Sequence, residues 1–85
     1  MSNAKRIFAK MQRTLSDWGQ DDFDTLYKGF GFSCTEGSKH RLYFHDTYPE
    51  LMATVGRHNS LAKGYARHAV TTIERLLELQ AEENE

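Results

Sequence analysis

The pattern of the chain predicts an α+β fold: two helices, three antiparallel strands and one long closing helix. Three observations carry that expectation. Apolar residues recur at spacings of three and four through residues 4–30. Alternating runs bounded by turn residues occupy residues 32–55. A helical pattern then returns from Leu61 to Leu77.

Taken in order, Ala4 to Leu15 reads as a helix, with Ile7, Phe8, Met11 and Leu15 on one face and Ser2 or Asn3 as its cap. Ser16-Asp17-Trp18-Gly19 interrupts it. Asp21 offers a cap for a second helix, Asp22 to Phe30, whose stripe is Phe23, Leu26, Tyr27 and Phe30. Gly29 and Gly31 help to end it. Strands are expected at Phe32–Thr35, Lys39–His45 and Leu51–Val55, and connections this short favour an antiparallel meander. Asn59 or Ser60 caps the closing helix, which is expected to reach about Gln80. Ala81-Glu82-Glu83-Asn84-Glu85 is expected to fray, because its carboxylates sit at the unfavourable end of the helix dipole. One sheet face packs on helices and the other remains open. The chain then divides into an N-terminal helical extension (1–20), a main domain (21–80) and an acidic tail (81–85).

Eighty-five residues with 39% hydrophobic and 27% charged content describe one ordinary globular domain. A core this small argues for a shallow surface site. No apolar run has the length of a membrane span and no signal-peptide pattern opens the chain, so a cytoplasmic protein without a membrane role is expected. The lone Cys34 suits a reducing compartment and reads as a small buried apolar residue. The net charge of −1 conceals a sorting of charge. Residues 39–68 hold Lys39, Arg41, Arg57, Lys63 and Arg67 against Asp46 and Glu50, together with every histidine. Residues 69–85 hold Arg75 against Glu74, Glu78, Glu82, Glu83 and Glu85. A local cationic patch attracts phosphates whatever the total charge.

Glu36-Gly37-Ser38-Lys39-His40 is the segment richest in chemistry. A Gly-Ser turn runs into an alternating strand and sets an imidazole at the strand start, between Lys39 and Arg41. Histidine alone has an unperturbed pKa close to neutrality, which makes His40 the place to look for proton transfer. Alternation puts His40 on the face of Leu42 and Phe44, which we expect to turn inward, with a bulge at Lys39 re-aiming the ring. Gly37 serves chain reversal; Ser38 supports the turn and offers a hydroxyl to a phosphate.

The segment Gly37-Ser38-Lys39-His40-Arg41-Leu42-Tyr43-Phe44-His45 resembles the Gly-Ser-His strand of HicA toxins, the small RNA-cleaving partners of HicB antitoxins. Thr54-Val55-Gly56-Arg57-His58 is similar to that family's Thr-Val-Pro-x-His strand end, and Leu61-Ala62-Lys63-Gly64-Tyr65-Ala66-Arg67 to its Leu-x-x-Gly-Thr-x-Arg helix start. The likeness runs from about Asp22 to Leu77. It departs at Lys39, which stands between Gly-Ser and the histidine, and at Gly56, which replaces proline. Lys39 or His40 therefore occupies the family's histidine position; counting back from Tyr43-Phe44-His45 selects His40.

The resemblance implies a double-stranded-RNA-binding-domain-like α-β-β-β-α fold carrying an extra N-terminal helix. It also implies a metal-independent mRNA interferase of a toxin–antitoxin pair, free of cofactors. Its partners would be RNA, mRNA in particular, and a HicB-type antitoxin, with no direct role for DNA. His40 would be the general base acting on the RNA 2′-OH. Lys39, Arg41, Arg57, His58, Lys63 and Arg67 would contact phosphates, Lys63 and Arg67 sharing a helical face. The alternatives are a non-catalytic RNA-binding module of the same fold and a protein-interaction adaptor working through the acidic tail. Four histidines invite a metal site, but His40 and His45 point to opposite strand faces and no paired cysteine or carboxylate supports His58 and His68. Among the aromatics, Tyr43 and Tyr48 are the candidates for stacking on bases, the others being expected in the core.

Overall fold

A computed structural model describes residues 2–84. Helix α1 spans Asn3–Met11 and α2 Gln20–Gly29. Strands β1 (Phe32–Glu36), β2 (His40–His45) and β3 (Met52–Gly56) follow, and α3 (Lys63–Glu83) closes the chain. The strands form one antiparallel sheet in the order β1-β2-β3. The expected α+β class and meander are therefore present, with three helices among the described residues.

Local chemistry explains the boundaries. Ser2 Oγ accepts the Lys5 N–H at 3.3 Å and starts α1. That helix stops at Met11, four residues before the expected Leu15, and Trp18 Nε1 donates to the Thr14 carbonyl at 2.9 Å within the turn that follows. Asp17 supports the reversal with a left-handed φ of 69°. Helix α2 begins one residue before the expected cap: the Asp22 carboxylate accepts the Gly19 N–H at 2.9 Å, so Asp22 performs the role foreseen for Asp21. Gly31, at φ 91°, ends it in the left-handed conformation that glycine tolerates best. Helix α3 starts at Lys63, after Ala62, and has no side-chain cap, in place of the expected Asn59 or Ser60. At its far end the fraying expected over 81–85 is not found in the described part, Glu85 lying outside the described residues. The helix continues to Glu83, whose carboxylate beside the Tyr48 hydroxyl, with burial second, pushes that phenol up to about 12.

Register decides which sheet face meets the helices. Tyr43 pairs with Cys34 and Ala53, and Arg41 with Glu36 and Val55. This face, with His45, lies under the helices: Tyr43 is fully buried, as are Phe23, Leu26, Tyr27 and Met11. Tyr27 stacks on Tyr43 at 4.9 Å, and Phe8 meets Phe30 edge-on at 5.7 Å, joining α1 to α2. The first helix thus contributes directly to the core through Ala4 and Met11. Cys34 is half-buried on the core face.

Two expectations change here. The face of Leu42 and Phe44 is the open one, not the inward one, because the helices cover the odd-numbered side of β2. Tyr43 and Tyr48, foreseen as base-stacking residues, are buried.

Candidate functional site

On the open face, β2 presents His40, Leu42 and Phe44, and β3 presents Met52 and Thr54. His40 is exposed at the first position of β2, immediately after the hairpin turn. No bulge at Lys39 is needed to expose it. The turn is tight: the Gly37 N–H donates to the His40 carbonyl at 2.9 Å, and a Cβ on Gly37 would stand 2.9 Å from that same oxygen. Glycine is required there for close approach, since its φ is not in the left-handed region. Arg57 fastens the turn to the end of β3, donating from Nη1 to the Gly37 carbonyl at 3.0 Å and lying 3.7 Å from Glu36.

The register pairs His40 with Gly56. Directly paired residues of an antiparallel sheet project from the same face, so Gly56 sets bare backbone beside His40. Gly56 is itself buried, because three side chains pack over it. A Cβ on Gly56 would lie 3.1 Å from Leu61 Cδ2, 3.4 Å from Tyr65 Oη and 3.6 Å from His58 Cδ2. Residues far apart in sequence thus converge on one corner of the open face. Leu61 supplies an apolar wall, while His58 and Tyr65 supply polar groups.

The loop that carries His58 is held from below. Gln20 N donates to the His58 carbonyl at 2.9 Å, and Leu61 N donates to the Trp18 carbonyl at 2.9 Å. Gly19 sits directly against the Asn59 carbonyl, where any Cβ would collide. The Trp18-Gly19-Gln20 segment therefore sets the position of the loop, a role that composition and periodicity gave no means of detecting.

A separate groove of about 590 Å³ lies on the open face, and neither His40 nor His58 lines it. Leu42, Met52 and Thr54 line it on the sheet side, and Gly64, Tyr65 and His68 on the helix side. The volume falls in the usual range of ligand sites. His68 Nε2 lies 2.9 Å from the Met52 carbonyl and ties α3 to the strand edge.

The structure brings some of the sequence-selected residues together and separates others. Gly37, Ser38, Lys39, His40 and His58 gather at the corner, with Arg57 bracing it. Arg41 points through the sheet to the helix side. Its Nε is 3.1 Å from Glu36 Oε1 without hydrogen-bond alignment, and its Nη1 is 4.0 Å from Asp24. Asp24 also accepts the Tyr43 hydroxyl at 2.7 Å and pairs with Lys28 at 3.2 Å. Burial first, then this bond to Asp24, raises the Tyr43 phenol above its ordinary range. Lys63 and Arg67 are exposed, but Gly64, Tyr65 and His68 are the helix residues at the groove. Successive helical residues diverge by about 100°, which turns Arg67 away from His68.

His45, the other histidine of β2, is structural. It is buried, and its Nδ1 accepts the Thr47 N–H at 3.2 Å and the Tyr48 N–H at 3.4 Å. Among the described residues no three His, Cys, Asp or Glu side chains group as a metal-binding set. Compared with family models, characterised proteins and solved structures, the chain matches none. Among the described residues no helix is long and apolar enough to cross a membrane.

Proposed function

We propose that this protein is an endoribonuclease of the HicA type, an mRNA interferase acting in the cytoplasm under the control of a HicB-type antitoxin. The observation that carries the reading is His40: an exposed imidazole at the start of a central strand, on an open sheet face, after a hairpin turn braced by Arg57. A double-stranded-RNA-binding-domain-like arrangement agrees with the order α2-β1-β2-β3-α3, with α1 added at the N-terminus.

In this reading His40 takes the proton from a ribose 2′-OH. The O2′ bonds to the neighbouring phosphorus, the P–O5′ bond breaks, and the products are a 2′,3′-cyclic phosphate and a 5′-hydroxyl. RNA carries its own nucleophile, so the chemistry requires positioning and proton transfer only. Lys39 is the nearest flanking cation free to meet phosphate, Arg41 being held by Glu36 and Asp24. Lys63 and Arg67 would contact strand phosphates beyond the corner.

The test compares wild type with His40→Ala on an RNA and on a DNA of the same sequence. Wild type should cut RNA only, leaving cyclic-phosphate ends, and the variant should bind RNA normally while losing about 10²–10⁴-fold in rate. Equal cleavage of DNA, or full activity in the variant, would overturn the assignment. A second reading, a protein-interaction module, draws on the apolar open face, where Met52 is 47% exposed. It predicts RNA affinity with no salt dependence, against the steep dependence expected of phosphate contacts.

A further inference from the structure

We infer that the first helix carries an RNA contact of its own, a groove in which Arg6, Lys10 and Arg13 hold the phosphates of a single strand above Trp18. The inference rests on the RNA-binding part of the reading above and not on the cutting step. It gives a role to the N-terminal extension, on which no candidate site residue fell.

Sequence supplies the charge. Residues 1–16 hold Lys5, Arg6, Lys10 and Arg13 and no Asp or Glu. Spacings of four and three bring Arg6, Lys10 and Arg13 to one helical face. The helical path runs past the end of α1, since the Arg13 N–H donates to the Lys10 carbonyl at 3.0 Å. All three cations are exposed, while Ala4 and Met11 turn to the core. Packing makes that face one side of a hollow of about 480 Å³. Arg6, Ile7 and Lys10 of α1 line it, with Arg13 and Trp18 of the link to α2 and Thr25 of α2. Among the described residues no acidic side chain lines it. Trp18 is buried and fixed by its bond to the Thr14 carbonyl, so its ring forms the floor. Lys10 Nζ stands over that ring at 5.9 Å from its centre, and the π-face attracts the ammonium.

These cations have no internal counterion. Among the described residues no carboxylate lies within ion-pair distance of Arg6, Lys10 or Arg13, whereas Lys28, Arg41, Arg57 and Arg75 are each paired. Asp22, at the start of α2, is engaged with the Gly19 N–H. Like charges gathered in this way repel, and a bound polyanion relieves the repulsion. The guanidinium forks of Arg6 and Arg13 suit phosphate oxygens, which accept bidentate pairs. The hollow has the volume of a small-molecule site. It admits a slim chain with a charge on every phosphate more readily than the side of an acidic helix, which is about 10–12 Å across. The groove also adjoins the loop that carries His58. Trp18 lines the groove with its ring and accepts the Leu61 N–H with its carbonyl, and Gln20 N holds the His58 carbonyl.

The test measures binding of a single-stranded 2′-O-methyl RNA, which offers no 2′-hydroxyl to activate, as salt is varied. Trp18 is the only tryptophan of the chain, so its emission reports occupancy of the groove. Wild type should bind with a steep salt dependence and a change in that emission. Arg6→Gln, Lys10→Gln and Arg13→Gln should each lower the slope of log affinity against log salt by about 0.7, and the triple variant by about 2. Arg6→Lys and Arg13→Lys should keep the wild-type slope. Lys28→Gln and Arg75→Gln, which neutralise cations paired with Asp24 and Glu78, should leave it unchanged. Matching circular dichroism spectra and urea midpoints separate these effects from misfolding. A triple variant with the slope and emission response of wild type would overturn the groove while leaving His40 as base intact. Low-salt self-association that disappears in the triple variant, with RNA binding retained, would overturn it in favour of the acidic end of α3 in a second copy. A wild type that binds no RNA at low salt would overturn the reading above and this inference together. Binding that depends on α1, in a protein that cuts no ordinary RNA, would support the groove and overturn the cutting step alone.

Discussion

His40 and His45 lie on the same strand, five positions apart, and share nothing else. His40 is on the open face, exposed to solvent. His45 is on the helix face, 8% exposed, with two backbone N–H groups donating to its Nδ1 and Phe32 edge-on at 5.2 Å. An odd separation along a strand places two residues on opposite faces. Here that parity separates a candidate reactive group from a fixed structural one. The two sheet faces differ in the same way. On the helix face the Tyr43 hydroxyl is bonded to Asp24 and Arg41 lies against Glu36, though Arg41 Nε is buried without a hydrogen bond. At the open corner His40 and His58 stay exposed to solvent.

The contrast can be broken from either side. The largest effect is expected from His40→Ala, which should abolish most RNA cleavage yet move stability by no more than about 0.5 kcal/mol, the usual range for an exposed site. His45→Ala should do the reverse. It leaves the Thr47 and Tyr48 amides without their acceptor and opens a cavity beside Phe32, at a cost of about 2–3 kcal/mol in urea unfolding. Active, well-folded His45→Ala protein would show that the β2–β3 turn does not depend on that ring. Next comes Tyr43→Phe, which deprives the Asp24 carboxylate of a 2.7 Å bond but keeps the ring stacked on Tyr27; about 1–2 kcal/mol should be lost with cleavage unchanged.

The smallest and broadest effect is the response to alkali. Burial raises Tyr27 and Tyr43, and the Glu83 carboxylate, then burial, raises Tyr48 to about 12. A phenol whose pKa is higher folded than unfolded stabilises the protein fully below its unfolded value near 10. That stabilisation is lost as pH climbs through the folded value. Denaturant midpoints should therefore be level up to about pH 10 and fall above it, less steeply in Tyr48→Phe. A midpoint that does not move by pH 12 would show that these phenols titrate alike in both states.

Much of the fold was legible along the chain. Spacings of three and four marked Ile7, Phe8 and Met11, then Phe23, Leu26 and Tyr27, then Ala69, Ile73 and Leu76, and all lie on packed helix faces. The Gly37-Ser38 turn and the antiparallel meander followed from turn residues. The Ser2 cap of α1 was legible too, but its early stop at Met11 and the limits of α3 were not, those of α3 because they rest on long-range partners. Gln20 and Trp18 bond to the loop before α3, and Tyr48 meets Glu83 at its end.

Of the candidate corner, sequence alone supplied His40, Lys39 and the glycine turn, because a histidine after a tight turn is a local pattern. It also supplied His58 as a polar residue at a strand exit. Sequence did not determine which sheet face stays open. Period-2 alternation groups Leu42 with Phe44 and Tyr43 with His45, but both sets carry bulky rings or chains, so pattern cannot rank them. Only the packing of α2 and α3 on the face of Tyr43 and Val55, with α1 behind them, made that choice. Nor did sequence set Gly56, with Tyr65 and His58 packed over it, beside His40. That meeting depends on pairing His40 with a glycine sixteen positions away, and such a register is fixed by the burial of a whole face rather than by any residue within it.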